Sequence, residues 1–241
     1  MAHTKEGDVY TWGNGEGCRL GRKVSERRSR ESLMPYDLGL KHAIRLYAGS
    51  YHNFVIDENK KVWVFGLNNT GQCGLGASKQ TIIPPEKHSF FNKIGQRVEE
   101  FAAGEHHTLA RMRDGQVFSF GRTDYGQLGL GDSVLPAAKE TKGRLVTPTV
   151  IPNLTSIKSI GCGDNFSMAV KTDNKICAWG FGNNYVLGNK KEDDLTSPFE
   201  IPDLEEFEDK NIIRISCGSS HALFLMVGGD VGGDAMDVDT N

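Results

Sequence analysis

One pattern constrains this chain more than any other: an aromatic residue followed by glycine recurs four times, at intervals of 53, 55 and 59 residues. Two further series keep step with it. The first series is Trp12-Gly13, Phe65-Gly66, Phe120-Gly121 and Trp179-Gly180, and the second is Ala48-Gly49, Ala103-Gly104, Cys162-Gly163 and Cys217-Gly218. The third consists of the glycine-rich segments 17–21, 71–76 and 126–131, with 185–188 as a degenerate fourth copy. A repeat that holds its register over four copies predicts stacked copies of one supersecondary unit.

Each unit is predicted to be a set of short antiparallel strands. Residues 116–120 alternate between polar and apolar, which is typical of a half-buried strand. They follow Asp114-Gly115, which predicts a tight hairpin of the primed type with positive φ; Gly7-Asp8, Asn59-Lys60 and Asp173-Asn174 occupy this place in the other copies. Four strands in about 55 residues fit one β-propeller blade, with the aromatic-glycine pairs packed between blades where backbones come close. A kelch-like blade is the nearest alternative, but its glycine pair is not repeated here.

Composition excludes several classes of function. The net charge of −3 predicts neither nucleic-acid nor membrane attraction, and no apolar run approaches the length of a membrane span. The five cysteines form no C-x-x-C pair, so we expect reduced thiols, with Cys162 and Cys217 as packing residues at equivalent repeat positions. No Walker, Rossmann, nucleophile-elbow or metal-ligand spacing occurs. We therefore predict no metal, no cofactor, no catalytic residue and no small-molecule substrate.

The repeat resembles that of the regulator-of-chromosome-condensation family. The matching residues are Gly7-Asp8-Val9-Tyr10-Thr11-Trp12-Gly13, Gly104-Glu105-His106-His107-Thr108 and Gly126-Gln127-Leu128-Gly129. The resemblance implies an all-β, seven-bladed propeller that is incomplete here, at about four blade-equivalents. The expected repeats are roughly 1–42, 43–96, 97–155, 156–210 and 211–227. Residues 228–241 contain four aspartates and four glycines, which predicts a disordered acidic tail.

Residues 120–131 and 178–185 resemble the last blades of the chromatin-bound exchange factor for the GTPase Ran. That resemblance implies a guanine-nucleotide exchange factor that grips a Ran-type GTPase and performs no covalent chemistry. It also implies a nuclear, chromatin-associated protein, with the cytoplasm left open as a second location. The family's wedge hairpin belongs to an earlier blade, so we expect this polypeptide alone to be a poor exchange catalyst. A generic repeat scaffold for protein–protein interaction is the alternative.

The resemblance also implies which residues bind the GTPase. His106, which precedes the ordinary repeat histidine His107, is the first candidate; Arg22, Asn69 and His221 are the others. A solvated surface arginine is the alternative for Arg22. His107, and His52 in the preceding copy, are predicted instead to be structural histidines that bond a neighbouring turn.

A local cluster of positive charge suggests a second partner. Residues 19–30 contain six basic residues against one glutamate, a charge of +5 on a chain of −3. In the resemblance, Arg27, Arg28 and Arg30 correspond to a segment that reaches the acidic patch of histones H2A and H2B in the nucleosome. Arginine suits this contact because its planar guanidinium pairs bidentately with carboxylates. A solvated charge run and a nuclear-import motif are the alternatives.

Overall fold

The computed structural model describes residues 1–24, 30–131, 143–202 and 210–228. Within these ranges, strands form five antiparallel sheets and the helices are single turns, which confirms the all-β prediction. No helix in the described ranges is long and apolar enough to span a membrane.

The sheets follow one another along the chain, and within each sheet the strands are hydrogen-bonded in sequence order. The first sheet has three strands, the next three sheets have four each, and the last has two. The strands are β1 (Ala2–His3), β2 (Val9–Thr11) and β3 (Tyr36–Asp37); β4 (Ala43–Ala48), β5 (His52–Asp57), β6 (Val62–Leu67) and β7 (Thr81–Lys87); β8 (Val98–Ala103), β9 (His107–Met112), β10 (Val117–Arg122) and β11 (Arg144–Val150); β12 (Ile157–Cys162), β13 (Phe166–Lys171), β14 (Ile176–Gly180) and β15 (Leu195–Glu200); and β16 (Asn211–Cys217) and β17 (Ala222–Val227). The short helices are Glu16–Cys18, Arg30–Leu33 and Asn183–Tyr185.

Neighbouring sheets meet through their first strands: β4 contacts β8, β8 contacts β12, and β12 contacts β16. In the second, third and fourth sheets, the aromatic residue of the aromatic-glycine pair fills the space to the preceding sheet. Phe65, Phe120 and Trp179 are fully buried, and the Trp179 indole donates to the Gln127 carbonyl oxygen of the preceding sheet at 3.0 Å. Trp12 is 40% exposed, because no described sheet precedes it. The predicted packing between sheets is confirmed for Phe65, Phe120 and Trp179 and is not seen for Trp12.

The hairpins between the second and third strands differ from the predicted primed turns. The Gly115 amide donates to the Met112 carbonyl, and only the third loop residue has positive φ, at Gly115 (φ 83), Lys60 (φ 62) and Asn174 (φ 70). This is the three-residue loop, a type I turn closed by one left-handed residue. The primed-turn prediction was wrong because an Asp-Gly or Asn-containing pair can occupy either the two-residue or the three-residue loop, and the register of the flanking strands decides between them.

The repeat histidines join neighbouring sheets. His52 Nε2 lies 2.7 Å from Thr108 Oγ1 in the next sheet, and that hydroxyl donates to the Gln72 carbonyl oxygen at 2.7 Å. Since the hydroxyl proton is already used, the imidazole must be the donor. His107 contacts Ser167 Oγ in the same way at 2.9 Å. Complete burial lowers the pKa of both histidines to about 3, so they are neutral. They are structural residues, as predicted, but they bond strand hydroxyls of the next sheet and not the neighbouring turn that was expected.

Candidate functional site

The loops between the first and second strands of four sheets lie side by side at one end of the molecule. Backbone hydrogen bonds link each loop to the next: Ser50 N donates to Gly104 O at 3.2 Å, Glu105 N to Asp164 O at 3.3 Å, and Asp164 N to Ser219 O at 3.2 Å. We call residues 49–51, 104–106, 163–165 and 218–220 the loop rim. Because these bonds tie the loops together, the rim presents its side chains on one continuous surface.

His106 lies on this rim in a stack of side chains from three sheets. Its imidazole is parallel to the Tyr51 ring, with a centroid distance of 5.3 Å and an angle of 6°. The guanidinium carbon of Arg19, from the loop after β2, lies 4.1 Å from the centre of the same tyrosine ring. A cation at this distance from an aromatic face is attracted by roughly 0.5–1 kcal/mol at an exposed site. The stack therefore holds His106 at a defined position on the surface.

The protonation of His106 follows from its neighbours. Partial burial is the main cause that lowers its pKa; Arg122 lowers it further, whereas Glu105 and Asp164 raise it. The imidazole is therefore neutral near pH 7. Gln72 Nε2 lies 3.4 Å from His106 Nδ1, and an amide NH₂ can only donate, so Nδ1 accepts. The remaining proton is on Nε2, which lies 3.8 Å from the Glu105 carboxylate.

The aromatic-glycine pair explains how the backbone of His106 is held. A Cβ at Gly121 would lie 2.5 Å from the His106 carbonyl oxygen, and the next residue, Arg122, donates its amide to that oxygen at 2.9 Å. Gly66 meets the Tyr51 carbonyl in the same way, where a Cβ would lie 2.4 Å away. Glycine recurs at this position because the strand end packs directly against the rim loop of its own sheet.

Asn69 lies beside His106. The Gln72 amide that contacts His106 also donates to Asn69 Oδ1, at 3.2 Å, and Arg144 donates to the Asn69 carbonyl oxygen at 2.9 Å. Thus the structure brings together two of the four residues for which GTPase binding is expected. Their common partner is Gln72, the glutamine of the glycine-rich segment.

The other expected site residues lie apart from this pair. Arg22 stacks over the Tyr36 ring at 4.4 Å, in the first sheet. His221 follows the rim loop of the last sheet, where its ring covers Gly218. Arg27 and Arg28 lie outside the described residues; Arg30 begins the short helix Arg30–Leu33, and its side chain lies outside the described part.

Sequence reasoning missed Tyr51, Arg19 and the rim carboxylates Glu105 and Asp164. One signal was available for Tyr51. The residue before the repeat histidine position is Tyr51, His106, Asn165 and Ser220 in successive copies. Since equivalent loops of adjacent sheets are neighbours, a comparison of this position across copies predicts that Tyr51 lies beside His106.

The radial sheets and the shared loop rim define an incomplete β-propeller of the regulator-of-chromosome-condensation type. A model of the RCC1-like domain matches residues 1–224, and the chain belongs to this family. The fold and family predicted from the repeat are confirmed.

Named relatives support this assignment. Protein pim1 of Schizosaccharomyces pombe is 41% identical over 203 residues, which are 80% of this chain and 37% of the relative. Guanine nucleotide exchange factor SRM1 of Saccharomyces cerevisiae is 33% identical over 91% of this chain and 47% of the relative. The crystal structure of Prp20p from S. cerevisiae, described with its binding properties to Gsp1p and histones, superposes with a TM-score of 0.85 at 32% identity and covers 95% of this chain and 54% of Prp20p. The chain thus spans about half the length of the relatives it matches, or less.

Proposed function

We propose that this chain acts in guanine-nucleotide exchange on a Ran-type GTPase at chromatin, with the loop rim as its GTPase-docking surface. The stack of Arg19, Tyr51 and His106 carries the proposal, because it is a partly exposed, pre-arranged aromatic and basic cluster contributed by three sheets. Aromatic and arginine side chains are the residue types that dominate binding energy at protein interfaces. The name of SRM1 and the Gsp1p binding described for Prp20p support the same assignment.

Exchange of this kind requires only differential binding. A factor that binds the nucleotide-free GTPase more tightly than the loaded form shifts the population toward release. The rim offers suitable contacts: the neutral His106 can donate from Nε2, and Glu105 and Asp164 can accept from basic groups. Because the stack and the Gln72 contact hold the imidazole before binding, little ordering entropy is lost when the partner docks.

Loss of labelled GDP from Ran tests this proposal. Release is timed with this polypeptide and with a form extended by the remaining blades of a relative; we expect weak or no acceleration by the first and strong acceleration by the second. In the extended form, His106→Ala and Tyr51→Leu should each reduce the rate by about 10-fold, the effect of losing about 1.4 kcal/mol of interface free energy.

His3→Ala provides the matched control, because it removes the same type of side chain from an exposed residue outside the loop rim. Its release rate should equal that of the parent. If the extended form does not accelerate release, the exchange-factor proposal fails and the scaffold alternative is favoured. If His106→Ala releases GDP at the parental rate, His106 is not part of the docking surface.

We further propose that Arg27, Arg28 and Arg30 contact the acidic patch of histones H2A and H2B, which would place the protein in the nucleus. The local charge of +5 over residues 19–30 and the histone binding described for Prp20p support this. Reversal of the three arginines to glutamate should abolish retention on immobilised nucleosomes while leaving GDP release unchanged. Parental retention by the reversed variant would contradict the histone contact.

A further inference from the structure

A cavity of about 430 Å³ lies between the third and fourth sheets, away from the loop rim. Ligand sites in proteins fall in the range of roughly 300–1,000 Å³. The buried side chains that line it are Leu130, Leu154 and Cys177, and the charged ones are Lys171 and Glu200. Lys171 ends β13, whereas the rim loop precedes that strand, so the cavity and the rim lie at different ends of the sheet.

The residue at one position of the repeat explains why this space is open. Cys177 lies two residues before the aromatic residue of the aromatic-glycine pair, and the second and third sheets have Trp63 and Phe118 at that position. Trp63 packs against the cluster that contains Leu40, and the Phe118 ring centroid lies 5.6 Å from that of Phe90. Both rings thus contact the link that follows the preceding sheet. A cysteine is much smaller than either ring, so the cavity separates it from the corresponding link of the third sheet.

The second sheet shows which polar groups surround an aromatic ring at this position. The Trp63 indole donates to Asp57 Oδ2 at 3.0 Å, and Lys87 Nζ lies 5.1 Å from the centre of the ring. Asp57 ends the second strand, and Lys87 is the partner of Trp63 on the last strand. In the fourth sheet these two places hold Lys171 and Glu200. The cavity therefore keeps one cation and one carboxylate, with their positions exchanged.

Both charged groups are held in place beside the cavity. Lys171 Nζ lies 2.6 Å from Glu200 Oε2, and Lys175 Nζ lies 2.7 Å from Oε1 of the same carboxylate. A carboxylate has about four lone-pair sites, so Glu200 can accept a further hydrogen bond. An ammonium group attracts the face of an aromatic ring within about 6 Å. An aliphatic ligand would use neither group, so the chemistry of the cavity favours an aromatic ring that carries a donor.

We propose that this cavity receives a tryptophan side chain of a partner protein, with the indole N–H donated to Glu200 and the ring face beside Lys171. Tryptophan is the ring that the fold accommodates at the equivalent position of the second sheet, and it forms the strongest cation–π contacts. It is also among the residues that dominate binding energy at protein interfaces.

The edge of the cavity suits a side chain that is carried by a protein. Asn153 and Ser197 line it and are exposed, so they offer polar groups to the backbone on either side of the docked tryptophan. Because the site lies away from the loop rim, a partner held here can be bound together with the GTPase.

The test uses the full chain and N-acetyl-5-fluorotryptophan amide as the probe, followed by fluorine NMR. Cys177→Trp places the chain's own indole in the cavity, so it should weaken probe binding by at least ~10-fold, a change of about 1.4 kcal/mol. Cys177→Ala is the matched control, because it removes the thiol and leaves the cavity open; it should bind the probe as the parent does. If circular dichroism shows that Cys177→Trp is unfolded, Cys177→Phe replaces it.

A second pair of variants tests the polar contact. Glu200→Gln should weaken probe binding by about 3-fold, because a hydrogen bond to a charged acceptor is stronger than one to a neutral acceptor. Its matched control is Glu86→Gln, which removes another carboxylate that is paired with a lysine on the last strand of a sheet, outside the cavity; binding should be unchanged.

Two results would overturn the proposal. The first is absence of binding to the parent at millimolar probe, or equal binding by the parent and the filled variant. The second is tighter binding of indole-3-acetate than of the probe, which would assign the cavity to a small aromatic acid and not to a protein side chain.

Discussion

Acidification should destabilise this protein through its buried histidines. His52 and His107 join neighbouring sheets, and His88 lies among Phe54, Phe91 and Phe120. Burial lowers the pKa of the first two to about 3 and that of His88 to about 4, from a usual 6.5. Each native histidine therefore stays neutral where the unfolded chain already binds a proton. The stability that these neutral histidines contribute is fully present above about pH 6.5 and is lost as the pH falls toward 3–4.

The magnitude follows from the displaced pKa values. Between pH 7.5 and 5.5, an unfolded-state pKa of about 6.5 and a native value near 3 give a loss of about 1.4 kcal/mol per histidine. The three together should lower the free energy of unfolding by about 4 kcal/mol, which is a large part of the typical stability of a domain.

Urea unfolding at the two pH values measures this loss, and a His107→Phe variant isolates one contribution. Phenylalanine suits that position because Phe166 occupies the equivalent place in the next sheet. Between pH 7.5 and 5.5, the free energy of unfolding of the variant should fall by about 1.4 kcal/mol less than that of the parent, whatever the variant's stability at pH 7.5. His3→Asn, at an exposed residue, serves as the control for removing a histidine. If parent and His107→Phe show the same pH dependence, the assignment of the acid sensitivity to neutral buried imidazoles is refuted.

Two further predictions concern the joints of the sheets. Gly121→Ala should lower the free energy of unfolding by roughly 3 kcal/mol, because it combines a positive φ of 116° with a Cβ that meets the His106 carbonyl. Gly13→Ala has a similar φ of 104° but open space around the Cβ, so its loss should be only about 1–2 kcal/mol. Equal losses of thermal stability in the two variants would contradict the clash. Ser167→Ala should lower the free energy of unfolding measured in urea by about 2 kcal/mol, because it leaves the buried His107 donor and the Gln127 carbonyl without their shared hydroxyl. A change below about 0.5 kcal/mol would show that this link contributes little to stability.

The local features of this protein could be predicted from its sequence because they depend on neighbouring residues. Alternating polarity and left-handed turn residues recur in every copy, so the strands, the hairpin positions and the blade architecture follow from the repeat alone. The structural role of His52 and His107 was predicted in the same way, from a position shared between copies. The expected binding role of His106 and Asn69 rested on the family resemblance, because nothing in the neighbouring sequence distinguishes these two residues from other loop residues.

Only the tertiary structure decided which copies meet and with what chemistry. Adjacent sheets bring Tyr51 beside Arg19, which is 32 positions earlier in the chain, and beside His106, which is 55 positions later. The three side chains therefore stack at the loop rim. Lys171, Cys177 and Glu200 line one cavity because three strands of the fourth sheet bring them together beside the link from the third. A repeat encodes one unit and its turn chemistry, whereas contacts between units depend on the angle and spacing at which the sheets pack. The candidate sites are made of such contacts, so the repeat predicted the scaffold and the packing of the sheets created the sites.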